Sequence, residues 1–249
     1  MDIYYLDAHL HLTEQTLTDQ NSLMHQANTL GFRSFWINTA QPCEWQFLEK
    51  FSCNHQEIFP FFGVHPWFVD IVDNNWANIL HNLLRKMMEQ CKVGIGEIGL
   101  DKKCISPASL QEKIFIQQIE IAQKLHIPVT IHCLGRWGRI VDILQHLQPS
   151  IPLIFHSYNG SYEIMRRLME HHSLFSFNCK AMERPKQREL LKKVPLQHIL
   201  LETDLCHPVQ KGAETKAHKD LICFYEKVAQ LRGISLIEFA YQVGENGEI

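Results

Sequence analysis

The chain has no CxxC pair and no closely spaced zinc knuckle, although it holds eight cysteines. Cys43, Cys53, Cys91, Cys104, Cys133, Cys179, Cys206 and Cys223 are scattered, which excludes a small disulfide scaffold or a zinc ribbon. They read as reduced cysteines, mostly small core fillers. No secretory leader is read ahead of them, because Asp2 and a patterned apolar strand come at once. The expectation is therefore a cytoplasmic protein. No apolar run approaches bilayer length, so no membrane partner is expected. A basic excess is lacking too: Lys+Arg 24 against Asp+Glu 27 gives a formal net charge of -3. That excludes wrapping of duplexes by a global basic field, but not a local phosphate site. Repeats, low-complexity segments and linkers are also missing, so residues 1–249 are expected to form one domain.

What is present is ordinary globular material, 45% hydrophobic and 20% charged, with enough apolar residues for a sizeable core. Short apolar runs alternate with helix-patterned stretches. The runs are Ile3 to His11, Phe32 to Thr39, Ile58 to Pro66, Val93 to Gly99, Ile127 to Cys133, Ile151 to Ser157, Leu174 to Lys180 and His198 to Asp204. Near-continuous apolar strands suit a parallel sheet covered on both faces. The clearest helix is Pro107 to His126, with Ser106 as N-cap and Pro107 at the first helical position. Leu110, Ile114, Ile121 and Leu125 trace one face of it. Glu163 to His172 and Arg188 to Val194 read similarly, and helices over Lys216 to Arg232 and Leu236 to Val243 follow. This alternation predicts the α/β class and a (β/α)8 TIM barrel of eight parallel strands.

Histidine is plentiful, with 15 in the chain, and several close the apolar runs. The first run ends in His9 and His11, the third in His65, the fifth in His132 and the sixth in His156. The fourth carries Glu97 and the eighth Asp204. Barrel enzymes build their sites at the C-terminal ends of the strands, so these seven side chains should converge on one mouth. Residues two apart on a strand share a face, so His9 and His11 can grip one ion as neutral imidazoles. Glu97 lies among Gly94, Gly96 and Gly99, which are expected to let a ligand or ion approach closely. Its two oxygens can bridge two cations. His132 and His156 would hold the second ion. Asp204 would bind the first and accept a proton from the attacking water. Mixed imidazole and carboxylate ligation suits two divalent metal ions of the Zn2+ or Mn2+ kind, with Mg2+ as the third candidate. Two such ions about 3.5–4 Å apart can activate a water and clamp a phosphodiester. Asp7 lies one step deeper than His9 on the same face. It is expected in the barrel interior, supporting the ligands rather than touching the metal.

The segments "DAHLH", "GVHPW", "GEIGLD", "IHC", "FHSYNG" and "ETD" occur in order. In these the chain resembles the TatD-type metal-dependent deoxyribonucleases, within the amidohydrolase-like barrels, from Asp7 to about Pro208. The resemblance implies a two-metal hydrolase that removes nucleotides from DNA, typically from the 3′ end of single strands. It implies that His9, His11, Glu97 and Asp204 bind one metal, and that Glu97, His132 and His156 bind the second. His65 would contact the scissile phosphate, and Glu202 would orient a ligand from behind. The implied partner is DNA with single-stranded ends, with protein partners of a DNA-processing or defence system also open.

The chain departs from that family in several places. Leu134 stands where the family carries an arginine, and nearby Arg136 and Arg139 are either substitute phosphate contacts or a solvated helix face. Lys102 and Lys103 replace an aromatic after "GLD" and are either solvated or set against the DNA backbone. Leu205 and Cys206 alter the "ETD" continuation, the stretch Gly212 to Lys216 lacks a family segment, and the terminal "GENGEI" reads as shortened. Trp67, Phe68, Trp137 and Tyr158 are candidates to stack on unpaired bases, or else ordinary rim and core aromatics. Two other functions stay open. One is a small-molecule amidohydrolase or lactonase, although such barrels often use a carboxylated lysine where this chain has Glu97. The other is a non-catalytic or partner-dependent subunit.

Overall fold

All eight apolar runs form strands in the computed structural model, which describes residues 3–12, 17–205 and 213–249. The chain runs β1 (Tyr5–Leu10), α1 (Leu17–Thr29), β2 (Phe32–Asn38), α2 (Trp45–Ser52), β3 (Ile58–Phe61) and α3 (Trp76–Met88). It continues β4 (Ile95–Asp101), α4 (Ala108–Leu125), β5 (Val129–Leu134), α5 (Trp137–Leu147), β6 (Leu153–Phe155) and α6 (Tyr162–Leu168). It ends β7 (Ser173–Phe177), α7 (Pro185–Lys193), β8 (Ile199–Leu201), α8 (Ala213–Arg232) and α9 (Leu236–Asn246). The helices alternate with the strands and cover them, as a parallel sheet requires.

The strands pair in parallel as two arcs, β1-β2-β3 and β4-β5-β6-β7-β8. Isolated parallel bridges join the arcs at both seams, Phe61 to Gly94 and Leu10 to Leu205. The first seam is thin beside Pro60, which has no N–H to give the ladder; its carbonyl accepts from Gly94 N at 3.0 Å. At the second seam Asp204 N–H donates to His9 O (3.0 Å) and His11 N–H to Leu205 O (2.7 Å). The ring predicted from the alternation is thus present, closed by single bridges rather than long ladders.

The last two helices clasp the second seam. Tyr225 of α8 is buried, and its hydroxyl donates to Leu6 O (2.8 Å) and accepts from Leu6 N–H (3.3 Å). Asn246, at the end of α9, donates to Leu196 O (2.7 Å) and Ile199 O (2.8 Å) at the base of β8. The terminal segment that reads as shortened in sequence therefore still packs against the barrel.

Two local expectations are corrected. Pro107, not Ser106, occupies the cap position of α4, with extended φ -53 and ψ 140. The Ser106 carbonyl is instead taken by the Gln111 side-chain amide at 2.9 Å. The buried face of α4 also runs through Gln111, Phe115, Gln118, Ile119 and Ala122, whereas Leu110 and Leu125 are half-buried. Glutamine is tolerated there because its amide finds backbone partners. The cysteines are corrected as well. Among the described ones only Cys133 is buried, while Cys43, Cys53, Cys179 and Cys223 are exposed; Cys206 lies outside the described residues. Phenylalanine, isoleucine and leucine fill the interior instead. Among the described residues no helix is long and apolar enough to cross a membrane.

Replacing Tyr225→Phe should cost about 1–2 kcal/mol in urea unfolding, because it leaves the Leu6 amide without its seam partner. Burial pushes the Cys133 thiol up to about 12. Alkylation of the folded protein near pH 8 should therefore label Cys53, Cys179 and Cys223 and spare Cys133, as read by peptide mass mapping.

Candidate active site

Glu97 points from the middle of β4 into the mouth and is almost fully buried. The glycines around it do not make room for a ligand, contrary to the expectation. A Cβ on Gly99 would overlap the His132 carbonyl, and one on Gly94 would overlap the Phe61 ring. Gly99 also has φ +145, a region that side-chain-bearing residues avoid. The space beside β4 is filled by neighbouring strands, so the glycines serve close strand packing.

Five imidazoles surround the Glu97 carboxylate, and they divide between its oxygens. His9 Nε2 (3.3 Å) and His11 Nε2 (3.0 Å) face Oε2. His132 Nδ1 (2.8 Å), His156 Nε2 (2.6 Å) and His65 Nε2 (3.5 Å) face Oε1. His9 and His156 stack with ring centroids 4.0 Å apart, so the two groups touch. Asp204 completes a set with His9 and His11 and a second with His156 and Glu202, the donor atoms of each set lying within 4.8 Å of one another. Asp204 lies beyond the end of β8 and has φ 52, a left-handed turn that sets it toward His11 and His9.

The seven strand-end residues expected at one mouth are thus brought together, but not all by strands. His65 stands four residues past β3. There it caps the short turn Pro66–Phe68, accepting from Trp67 N–H at Nδ1 (3.2 Å). Its height is set from α4: Gln118 accepts from Val64 N–H (2.8 Å) and donates to Val64 O (3.1 Å).

Behind the imidazoles lie carboxylates. Asp101 Oδ2 is 3.2 Å from His132 Nε2 and accepts from the Trp67 indole N–H at 2.8 Å. Glu202 Oε1 faces His156 Nδ1 at 3.8 Å, an ion-pair contact rather than a hydrogen bond, and its other oxygen is held by Ser176 Oγ. Asp7 is buried among other groups, as expected. It accepts from Thr203 N–H (2.9 Å) and Thr203 Oγ1 (2.6 Å), and buried His218 Nε2 of α8 lies 3.3 Å from its Oδ2. Asp101, Gln118 and His218 were not singled out by the sequence reading. Only Asp101 carries a signal there: it alternates with Glu97 and Gly99 on one face of a strand.

The electrostatics follow from one buried anion among imidazoles. Burial would push Glu97 up, but His156, His65 and the hydrogen bonds from His11 and His132 hold it well below its ordinary value. Burial alone would lower every histidine. His9 stays low under burial and the neighbouring His156, and burial lowers His65 to about 3. At His156 and His11 burial is outweighed by Glu97, aided by Glu202 and Asp204 respectively, and at His132 by the Asp101 hydrogen bond together with Glu97, so all three are raised. Burial and the Glu97 charge raise Asp204, and burial raises Glu202.

The donor set fits divalent cations. Ligand nitrogens about 2.0–2.1 Å from one ion stand roughly 2.8–3.4 Å apart at octahedral to tetrahedral angles. His9 Nε2 and His11 Nε2 are 3.1 Å apart, as are His132 Nδ1 and His156 Nε2. Metal-bound histidines also commonly lean on a carboxylate, as His132 does on Asp101.

Other candidates lie elsewhere. Arg139 pairs with Glu112 at 2.8 Å on the outer face of α5, away from a phosphate role. Tyr158 is fully buried with its hydroxyl on Ser161 O, and Trp137 is buried with its N–H on Asn159 Oδ1. Both are core residues, not stacking surfaces.

A ring of eight parallel strands with histidines and carboxylates at its mouth defines a metal-dependent barrel hydrolase. Residues 6–248 match the family of TatD related DNases, and the chain belongs to that family. It is 26% identical over 245 residues to the 3′-5′ ssDNA/RNA exonuclease TatD of Pantoea ananatis, covering 93% of each chain. It is 31% identical over 197 residues to the deoxyribonuclease Tat-D of Schizosaccharomyces pombe, covering 75% of this chain and 63% of that one. Among solved structures, the TatD homologue YJJV from Escherichia coli superposes with TM-score 0.84 at 19% identity, covering 97% of this chain and 95% of that one. The match runs through the altered segments and into the terminal one, so those departures do not take the chain out of the family.

Gly99→Ala should destabilise the fold by about 3 kcal/mol or more in chemical unfolding, because strand β5 must shift at His132. A stability within about 0.5 kcal/mol of wild type would contradict this packing role.

Proposed function

We propose that the protein is a two-metal phosphodiesterase that removes nucleotides from the 3′ end of single-stranded DNA. The division of the Glu97 oxygens between two histidine groups carries this reading. His9, His11, Glu97 and Asp204 would hold one cation, and Glu97, His132 and His156 the other. When bound, two such ions lower the pKa of a water and neutralise charge on the phosphate oxygens. The chain supplies the rest. Asp204, between the two ligand groups, takes the proton from the attacking water. His65, which also clusters with Glu97 and His132, stays outside the two proposed ligand sets and donates to the scissile phosphate. Asp101 fixes the ring of His132, and Glu202 backs His156. Asp7 holds Thr203 and so fixes the turn that presents Asp204. The substrate assignment draws on the names of the relatives, which include nucleases of single-stranded DNA and of RNA. We read residues 1–249 as one hydrolase domain, because β1 and β8 from opposite ends of the chain share a seam.

The test is release of the 3′-terminal nucleotide from a 3′-labelled single strand with Mg2+, Mn2+ or Zn2+. Glu97→Gln should lower the rate at least about 100-fold and leave the protein with fewer bound ions by elemental analysis. A wild-type protein that binds two ions yet releases no nucleotide above the variant would overturn the activity. Equal release from a 5′ label would overturn the polarity, and preferred release from an RNA strand would move the substrate to RNA.

A further inference from the structure

Of the four aromatics near the mouth, Trp67 alone is exposed, at 56%, whereas Trp137 and Tyr158 are buried and Phe68 is partly so. A single exposed ring is ordinary at a surface; what sets this one apart is its place beside a polar cleft. Trp67 is also held still. Its indole N–H donates to Asp101 Oδ2 at 2.8 Å, and its backbone N–H donates to His65 Nδ1. The indole and the His65 ring are nearly perpendicular, with centroids 5.6 Å apart and planes at 79°. His65 in turn stands 3.5 Å from Glu97. The exposed indole is therefore one imidazole ring away from the ligand cluster.

The neighbouring loop adds the matching charge. Lys102 and Lys103 are exposed, and Lys103 N–H donates to Asp101 Oδ1 at 2.7 Å. Cys104 Sγ donates to Pro66 O at 3.0 Å, tying that loop to the turn that carries Trp67. One carboxylate thus organises an aromatic face, a metal-facing histidine and a two-lysine loop. Cations with an aromatic platform are what an unpaired nucleotide needs: phosphate contacts and a surface for its base. A base paired inside a duplex has both faces stacked and cannot use such a platform.

We propose that the Trp67 indole is the stacking platform for the unpaired base next to the scissile phosphodiester. This rests on the nuclease reading above, and it gives the preference for single strands a residue. It also predicts that Trp67 has two separable roles. The ring binds the base, while the N–H holds Asp101 against His132. Trp67→Phe keeps the ring and loses the N–H, whereas Trp67→Ala loses both.

The test is fluorescence anisotropy with the metal-loaded protein and a 5′-labelled dT8 whose 3′ linkages are phosphorothioates, beside the same strand with abasic 3′-terminal and penultimate nucleotides. Trp67→Ala should weaken binding of the intact strand about 5- to 100-fold. Trp67→Phe should stay within about threefold of wild type. On the abasic strand all three proteins should bind alike. Equal binding of the intact strand by wild type and Trp67→Ala would overturn the platform, as would a Trp67→Ala loss that persists on the abasic strand or no binding of dT8 by wild type. Failure of the nuclease reading looks different: base-dependent binding remains, but an unmodified strand loses no nucleotide beyond the Glu97→Gln control.

Discussion

Two backbone hydrogen bonds at the seam between β8 and β1 decide where the chemistry can be. Asp204 donates to His9 O and His11 donates to Leu205 O, so residues nearly two hundred positions apart share one turn of the ring. Parallel strands point their C-terminal ends the same way, but that alone puts side chains on a rim. It is the seam that converts a rim into a cluster by setting His9 and His11 beside Asp204. Because the seam is a single bridge, it needs help from outside the sheet. Tyr225 and Asn246 give it, each bonding the backbone of one seam strand. The two helices beyond the eighth strand are therefore part of what makes the site, though among the described residues neither supplies a side chain to the Glu97 cluster.

The second constraint is electrostatic. A carboxylate as buried as Glu97 is costly unless it is paired. Here five imidazoles meet it, and they also meet each other at 3.1 Å within each pair. Such closeness is unfavourable for two charged rings and leaves two neutral ones with lone pairs competing for one proton. A cation in each group, as in the proposed two-metal reading, would resolve the competition. Around this centre the polar groups are arranged in depth: Asp101 and Glu202 stand against imidazoles, Gln111 accepts from the Asp101 backbone N–H, and Ser176 holds the Glu202 carboxylate. Each buried charge thus has a partner that is itself held.

Much of this was legible in the sequence because it is periodic or local. Eight apolar runs mark eight strands, and the polar residues that close them mark the mouth. The boundaries were less legible. β3, β6 and β8 are shorter than their apolar runs, so His65, His156 and Asp204 stand in the turns just beyond. Hydrophobicity does not stop where pairing stops, because loops at a barrel mouth are also buried. Residues that act across the third dimension left almost no trace. Gln118 and His218 sit on helices far in sequence from Val64 and Asp7, and a glutamine in an apolar stripe reads as a defect until its backbone partner is known. The glycines of β4 misled for a related reason: a missing side chain says that something approaches, not what it is.

Helix α4 shows what such hidden partners imply. Through Gln118 it grips the backbone ahead of His65, and through Gln111 it grips Asp101 N–H at 2.9 Å. One rigid rod therefore sets the height of two loops that no strand pairing aligns, those carrying Trp67 and Lys103. The two loops are coupled like jaws on a common handle. Sequence change on the outer face of α4 leaves the jaws alone, whereas a rotation of the helix by a fraction of a turn would move an aromatic face, a histidine and a charged loop together. On the proposed reading, substrate preference in this barrel would be adjustable from a helix that grips only the backbone beneath these loops.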